Sequence, residues 1–173
     1  GIPSLVLMEK AAIGVAVAIG ENFPEAHGAA IFCGPGITGG DGLGLGRHLA
    51  IRGYQIELFV LAGGRQLTGD AAAQLAICRN QGLAIREIGP QDDLHGVLDS
   101  ARELGLVVDA LFGTGLKKPL AGQYAELVTE LNRLPTPRVA VDLPSGLYGG
   151  AWEVAGPHLS AELTVTFAAP KVA

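Results

Sequence analysis

Two runs in this chain are apolar almost from end to end. Ala29-Ala30-Ile31-Phe32-Cys33 stops at Gly34, and Leu106 to Leu111 carries a single charged residue, Asp109. A strand that faces water on one side alternates polar and apolar residues, so a run without alternation must be buried on both faces. Strands of that kind need helices above and below them, and helical segments lie between the strands throughout the sequence.

The helices expected are 4–19, 41–52, 68–81, 92–104 and 121–131, with Gly53, Gly82 and Gly105 as stops. The strands expected are 29–33, 55–62, 83–88, 106–111, 138–142 and 163–167. Short strands joined through helices imply parallel βαβ units. The expected fold is α/β, a Rossmann-like three-layer α/β/α sandwich with a mostly parallel central sheet, in a single domain over 1–173. The order of strands in that sheet is not readable from the pattern.

Composition narrows the function. With 49% apolar and 17% charged residues, the 173-residue chain is a folded domain. A net charge of −5 without a basic stripe argues against a general nucleic-acid surface. A nucleotide ligand stays open, because backbone N–H groups can hold phosphates. The longest uncharged apolar stretch, Ala11 to Ile19, is too short to cross a membrane. Two cysteines, Cys33 and Cys78, make no disulfide framework and suit a reducing, cytoplasmic compartment.

Ligands of open parallel sheets sit beyond the C-terminal ends of the strands, and three loops there carry chemistry. Gly34, Gly36 and Gly39 form G-x-G-x-x-G between a strand and a helix. Such glycines let a backbone approach a pyrophosphate, although the same motif also makes a bare tight turn, and Asp41 also reads as a helix cap. An NAD-type ribose acid is missing, since Glu57 falls inside its strand. The second loop runs Asp109-Ala110-Leu111-Phe112-Gly113-Thr114-Gly115-Leu116-Lys117-Lys118-Pro119. A carboxylate near the end of a buried strand needs a cation, a donor set or a substrate, and Lys117 and Lys118 offer charge to a phosphate. The third, Asp142-Leu143-Pro144-Ser145-Gly146, repeats a carboxylate at a strand end. If Asp109 and Asp142 face one crevice they read as an acid–base pair or a cation site, while Asp109 also reads as a structural cap on the loop that follows it. Ser145 lacks the G-x-S-x-G setting of a nucleophile, the histidines show no metal-ligand spacing, and Glu9 reads as a surface residue.

Taken in order, these segments resemble the YjeF N-terminal family, the NAD(P)H-hydrate epimerases. Leu7-Met8-Glu9-Lys10-Ala11-Ala12 stands for L-M-E-N-A-G, and Gly34 to Gly42 for G-P-G-N-N-G-G-D-G. Arg47-His48-Leu49, Asp109 to Leu116, and Asp142 to Gly146 match R-H-L, D-A-L-F-G-T-G-L and D-x-P-S-G. Ala161 to Phe167 and Lys171 approximate A-D-x-T-V-T-F with its lysine.

The resemblance implies epimerisation of hydrated NADH or NADPH, a potassium ion and a homodimer. By position it implies substrate contacts from Ile37, Thr38, Gly39, Gly40 and Asp41, and from Gly113, Thr114, Gly115, Leu116, Lys117, Lys118 and Pro119. It implies Asp142 as the acid–base group, with Lys117 next in line, and Thr38, Asp109 and Ser145 as ion ligands. It also implies an ADP- or ATP-dependent NAD(P)H-hydrate dehydratase as a fused or separate partner, and a domain trimmed at both ends. Ile37 and Thr38 replace the family's paired asparagines, and Glu162 replaces an aspartate. The Ile37-Thr38 pair is what favours the competing reading, a catalytically weak or inactive nucleotide-binding or scaffold module.

Overall fold

The computed structural model describes residues 1–147 and 156–167. Its six strands are β1 (Gly28–Cys33), β2 (Gln55–Val60), β3 (Ala84–Glu87), β4 (Val107–Ala110), β5 (Arg138–Val141) and β6 (Leu163–Val165). Its helices are α1 (Ser4–Asn22), α2 (Ile37–Ile51), α3 (Gly69–Asn80), α4 (His95–Leu104) and α5 (Gly122–Arg133). The strands form one sheet in the order β3-β2-β1-β4-β5-β6, and every pairing is parallel.

All six residues of β1 are buried, because its alternate side chains enter two separate cores. Ile31 and Cys33 pack with Leu43, Leu49 and Leu75 of α2 and α3 and with Ala12 and Ile19 of α1. Ala30 and Phe32 pack with Val97, Leu98 and Leu127 of α4 and α5. Three helices therefore cover one face and two the other, giving the three layers that the apolar runs require. Among the described residues no helix is long and apolar enough to cross a membrane.

The sequence pattern places the start of α2 at Asp41, but the helix begins at Ile37. Five glycines in α2 discourage a helical reading, since each costs about 1 kcal/mol relative to alanine. Packing overrides that propensity. A β-carbon on Gly42 would lie 2.5 Å from Ala110 Cβ, and one on Gly46 2.7 Å from Leu58 Cδ2, both in the sheet. One on Gly40 would lie 2.5 Å from Met8 Cε, and one on Gly44 3.0 Å from Ala12 Cβ, both in α1. Glycines four apart share a helix face, so one pair lets α2 settle onto the sheet and the other lets α1 settle onto α2.

Other boundaries also move: α1 runs on to Asn22, β2 stops at Val60 rather than 62, and α5 reaches Arg133. α4 starts at His95 rather than 92, because Asp92 Oδ2 accepts the Gly89 N–H and Asp93 Oδ1 the His95 N–H in a preceding turn. β6 stops at Val165 rather than 167. β5 stops at Val141, so Asp142 sits just outside the sheet.

Gly39→Ala should destabilise the protein by about 3 kcal/mol or more, because its β-carbon would lie 1.9 Å from the Gly34 carbonyl oxygen, an overlap no rotamer relieves. Gly14→Ala in exposed α1, with nothing within 4 Å, should stabilise by up to about 1 kcal/mol. Urea midpoints of the two variants check both. Equal effects would show that α2 has room to give.

Candidate active site

The strand order reverses at β1. Later strands run outward through β2 and β3 on one side and through β4, β5 and β6 on the other. At such a switch point adjacent loops leave the sheet in opposite directions and a crevice opens between them. A cleft of about 460 Å³ lies there, among Gly36, Ile37, Thr38 and Asp41 after β1, Leu111 to Leu116 after β4, Asp142 after β5, and Phe167. A larger cleft of about 560 Å³ opens at the other end of the strands, around Gly28, Gln55 and Gly105. None of the three loops that carry chemistry contributes to it, and we place the site at the switch point.

Gly113 is where the loops meet. A β-carbon there would lie 2.6 Å from Thr38 Oγ1 and 2.9 Å from Asp142 Oδ2. A residue with a side chain would push both polar groups out of the cleft. Asp142 adopts φ 71°, the only described non-glycine residue with positive φ. Aspartate tolerates this region better than most residues, and backbones held there cluster at functional sites. Thr166 Oγ1 lies 3.5 Å from Asp142 Oδ1, at the limit of a hydrogen bond.

Asp41, one turn after Thr38 in α2, is only 5% exposed. Burial, and secondarily the neighbouring Asp142 charge, push its pKa up to about 7. It is therefore a cleft carboxyl that exchanges its proton near neutrality. The helix-cap reading does not hold, since the cap position of α2 is Gly36.

Asp109 lies deeper, at 0% exposure. Its Oδ1 accepts the Ser145 hydroxyl at 2.7 Å and the Leu111 N–H at 3.1 Å, and its Oδ2 accepts the Ser145 N–H at 2.7 Å. Ser145 Oγ in turn accepts the Phe112 N–H at 3.0 Å. This lattice ties the loop after β4 to the loop after β5. Burial lifts Asp109 to about 6, and the bonds from Ser145 and Leu111 limit the rise.

The structure thus brings Ile37, Thr38, Asp41, Gly113, Thr114, Gly115, Leu116 and Asp142 to one cleft. It joins Asp109 directly to Ser145, whereas Thr38 approaches Gly113 and Asp142. Gly39 abuts Gly34 and Gly40 abuts Met8, away from the cleft lining. Lys117, Lys118 and Pro119 are exposed on the loop beyond that lining. Lys171 falls outside the described residues.

Glu9 is not a simple surface residue. Its carboxylate receives Arg47 Nη2 at 2.5 Å, His48 Nε2 at 2.7 Å and Gln74 Nε2 at 3.2 Å, so it links α1, α2 and α3. Burial opposes its ionisation, but those donors and the Arg47 charge outweigh it and hold the carboxyl below its usual range. Glu162 likewise has a structural partner: Arg138 Nη2 donates to it at 2.6 Å. No local signal in the sequence announces the contact of Glu9, because its partners lie 38 to 65 positions away.

A family model described as the YjeF-related protein N-terminus matches residues 4–173. A protein of Rhodopirellula baltica named NAD(P)H-hydrate epimerase is 40% identical, over 99% of this chain and 68% of its own. The protein of that name from Limosilactobacillus fermentum is 34% identical, over 96% and 76%. A bifunctional NAD(P)H-hydrate repair enzyme of Moorella thermoacetica is 39% identical over 99% of this chain, which spans only 33% of that enzyme. The crystal structure of the yeast protein ynu0, YNL200c, superimposes with a TM-score of 0.85 at 26% identity, covering 99% of this chain and 73% of that one.

The raised pKa of Asp41 has a stability consequence with a definite sign. Between the ordinary 3.8 and about 7 the unfolded chain has lost this proton and the folded chain retains it. Stability should therefore fall as pH rises through that window, by up to about 1.4 kcal/mol per pH unit from this group. Asp41→Asn removes the titration, so its stability relative to the parent should climb from pH 4 to pH 7 and then level off. Denaturant midpoints across that range test this. A parent–variant difference independent of pH would show that Asp41 titrates normally.

Proposed function

The chain belongs to the family of the YjeF-related protein N-terminus, and we propose that it interconverts the R and S forms of hydrated NADH and NADPH. The observation that carries this reading is the convergence of Thr38, Asp41, Gly113 and Asp142 in one cleft at the switch point. Relatives named for this activity align along nearly the whole chain.

The chemistry needs few groups. The hydroxyl at C6 of the reduced ring leaves as water once protonated, and the ring nitrogen's lone pair leaves an iminium-like cation. Water re-adds to the other face and gives up a proton. A single carboxyl that donates and then accepts serves both steps. Asp142 takes that role, and Asp41 beside it adds a carboxyl that titrates near neutrality. Their negative charge also favours the cation. No side chain caps α2, so the N–H groups of its first turn are available to the pyrophosphate.

Asp109, Ser145 and Thr38 would hold a potassium ion. The donor set is all oxygen with one negative charge, and Asp109 is fully buried with only neutral donors bonded to it. A bound monovalent cation would neutralise that charge and rigidify the loops on either side of the cleft. Exposed Leu7, Ile13 and Val17 along α1 support a homodimer. The length of the bifunctional relatives supports a dehydratase as fused or separate partner. Two buried free thiols, Cys33 and Cys78, support a cytoplasmic location.

Asp142→Asn should fold and bind dinucleotide yet lose about 10²–10⁴ in epimerisation rate above the spontaneous background. Chromatographic separation of the R and S hydrates measures it. Turnover within a few-fold of the parent would move proton transfer to Asp41 or Lys117. Exchanging sodium for potassium at constant ionic strength should raise the thermal midpoint, and identical midpoints would argue against a selective ion site.

A further inference from the structure

A second cleft of about 440 Å³ lies on the same edge of the sheet, at the ends of β2 and β3. Val60, Leu75 and Ile88 contribute its apolar lining, and Arg65 and Arg79 its cations. Arg79 pairs with Glu87, whereas Arg65 has no ion pair among the described residues. The lining carries two arginines against one glutamate, and the Asp92 carboxylate, which accepts the Gly89 N–H, stands at its rim.

Its position relative to the active-site cleft is set by the sheet. β1 pairs with β2 on one side and β4 on the other. The ends of β2 and β4 are thus about 10 Å apart, two strand spacings, and the loop after β1, whose Pro35 and Gly36 line the active-site cleft, leaves the sheet between them. That is a path for a pyrophosphate joining two nucleoside halves. If the hydrated ring meets Asp142 beyond β5, the adenosine half points toward β2 and β3.

In folds of this topology the adenosine ribose reaches the end of the second strand. An acidic residue there accepts the 2′-hydroxyl and repels a 2′-phosphate, while arginine accommodates the phosphate. The residues that follow β2 here are Leu61-Ala62-Gly63-Gly64-Arg65, with no carboxylate. Gly63 and Gly64 have φ 61° and 76°, which turns the chain sharply just before Arg65. The guanidinium fork suits a phosphate and has little to offer a ribose hydroxyl.

We propose that this second cleft binds the 2′-phosphorylated adenosine end of the substrate, with Arg65 as the specificity-determining residue, so that hydrated NADPH is preferred over hydrated NADH. This rests on the reading of the chain as a dinucleotide-hydrate epimerase. The acidic partner Glu87 holds Arg79 at the cleft rim and leaves Arg65 to the phosphate.

Calorimetric binding of adenosine 2′,5′-bisphosphate and of AMP tests the cleft without any turnover. The parent should bind the bisphosphate at least about tenfold more tightly, the scale of one charge-assisted contact. Arg65→Ala should shrink that preference to about twofold, and Arg65→Glu should abolish or invert it. Arg65 is exposed, so both variants should melt with the parent. Equal binding of the two ligands by the parent, or a preference unchanged in both variants, overturns the assignment. Epimerisation of each hydrate is then measured, with the preference expected in KM. A bisphosphate preference without turnover of either hydrate would keep the cleft and remove the activity. Equal turnover of both hydrates with no bisphosphate preference would keep the activity and remove the cleft's role.

Discussion

The seating of α2 between the sheet and α1 is the contact on which the rest of this structure depends. The helix follows β1, the central strand at the switch point, and its first residues form one wall of the cleft. Its glycines face two ways, toward Ala110 and Leu58 in the sheet and toward Met8 and Ala12 in α1. Their combined intrinsic cost is on the order of 5 kcal/mol in helix propensity. Close contact of backbone with both neighbours offsets it, through buried area and dispersion that a bulkier helix could not reach. Because the helix sits so near the sheet, Thr38 and Asp41 are carried to the loop after β4 rather than standing above it.

Two carboxylates at strand ends serve different purposes because of depth. Asp109 is withdrawn from water and bonded by Ser145 and Leu111, so it ties the loops together. Asp142 is displaced from the sheet by its left-handed backbone and opens into the cleft with Asp41. The first arrangement makes the second reproducible. Hydrogen bonds between the loops after β4 and β5 hold Gly113 against Asp142 and fix that carboxylate in the cleft. On the opposite edge of α2, Glu9 with Arg47, His48 and Gln74 performs a comparable service for the three helices. The R-H-L segment thus acts in helix packing rather than at the cleft.

Much of this was legible in order of residues alone. Apolar runs without alternation imply buried parallel strands, since only burial on both faces removes the need for polar alternation. Gly105, at φ 77° after α4, and the other helix-ending glycines mark boundaries because they accept the left-handed turn. The three loops that carry chemistry are recognisable from carboxylates and glycines at strand ends, and all three contribute to the cleft or to the lattice beneath it. These features depend on neighbours within a few positions, and local sequence encodes them directly.

Other features needed the tertiary structure, because they depend on contacts between distant segments. Helix propensity assigns Gly39 and Gly40 to a loop, and only the fit against Gly34 and Met8 makes them helical. The charge environment of Asp41 follows from burial and from a carboxylate 101 positions away, neither of which has a sequence signature. Glu9 looks like a surface acid until α2 and α3 bring Arg47, His48 and Gln74 to it. The strand order was likewise undetermined by pattern, and it sets β2 and β4 on either side of β1, so that the loop carrying Arg65 and the loop carrying Gly113 flank the loop after β1. Sequence determined which segments are strands, helices and loops bearing carboxylates and glycines, through backbone conformation and burial period. Tertiary structure decided which of those groups share a cleft, because proximity across the chain is set by packing and not by spacing.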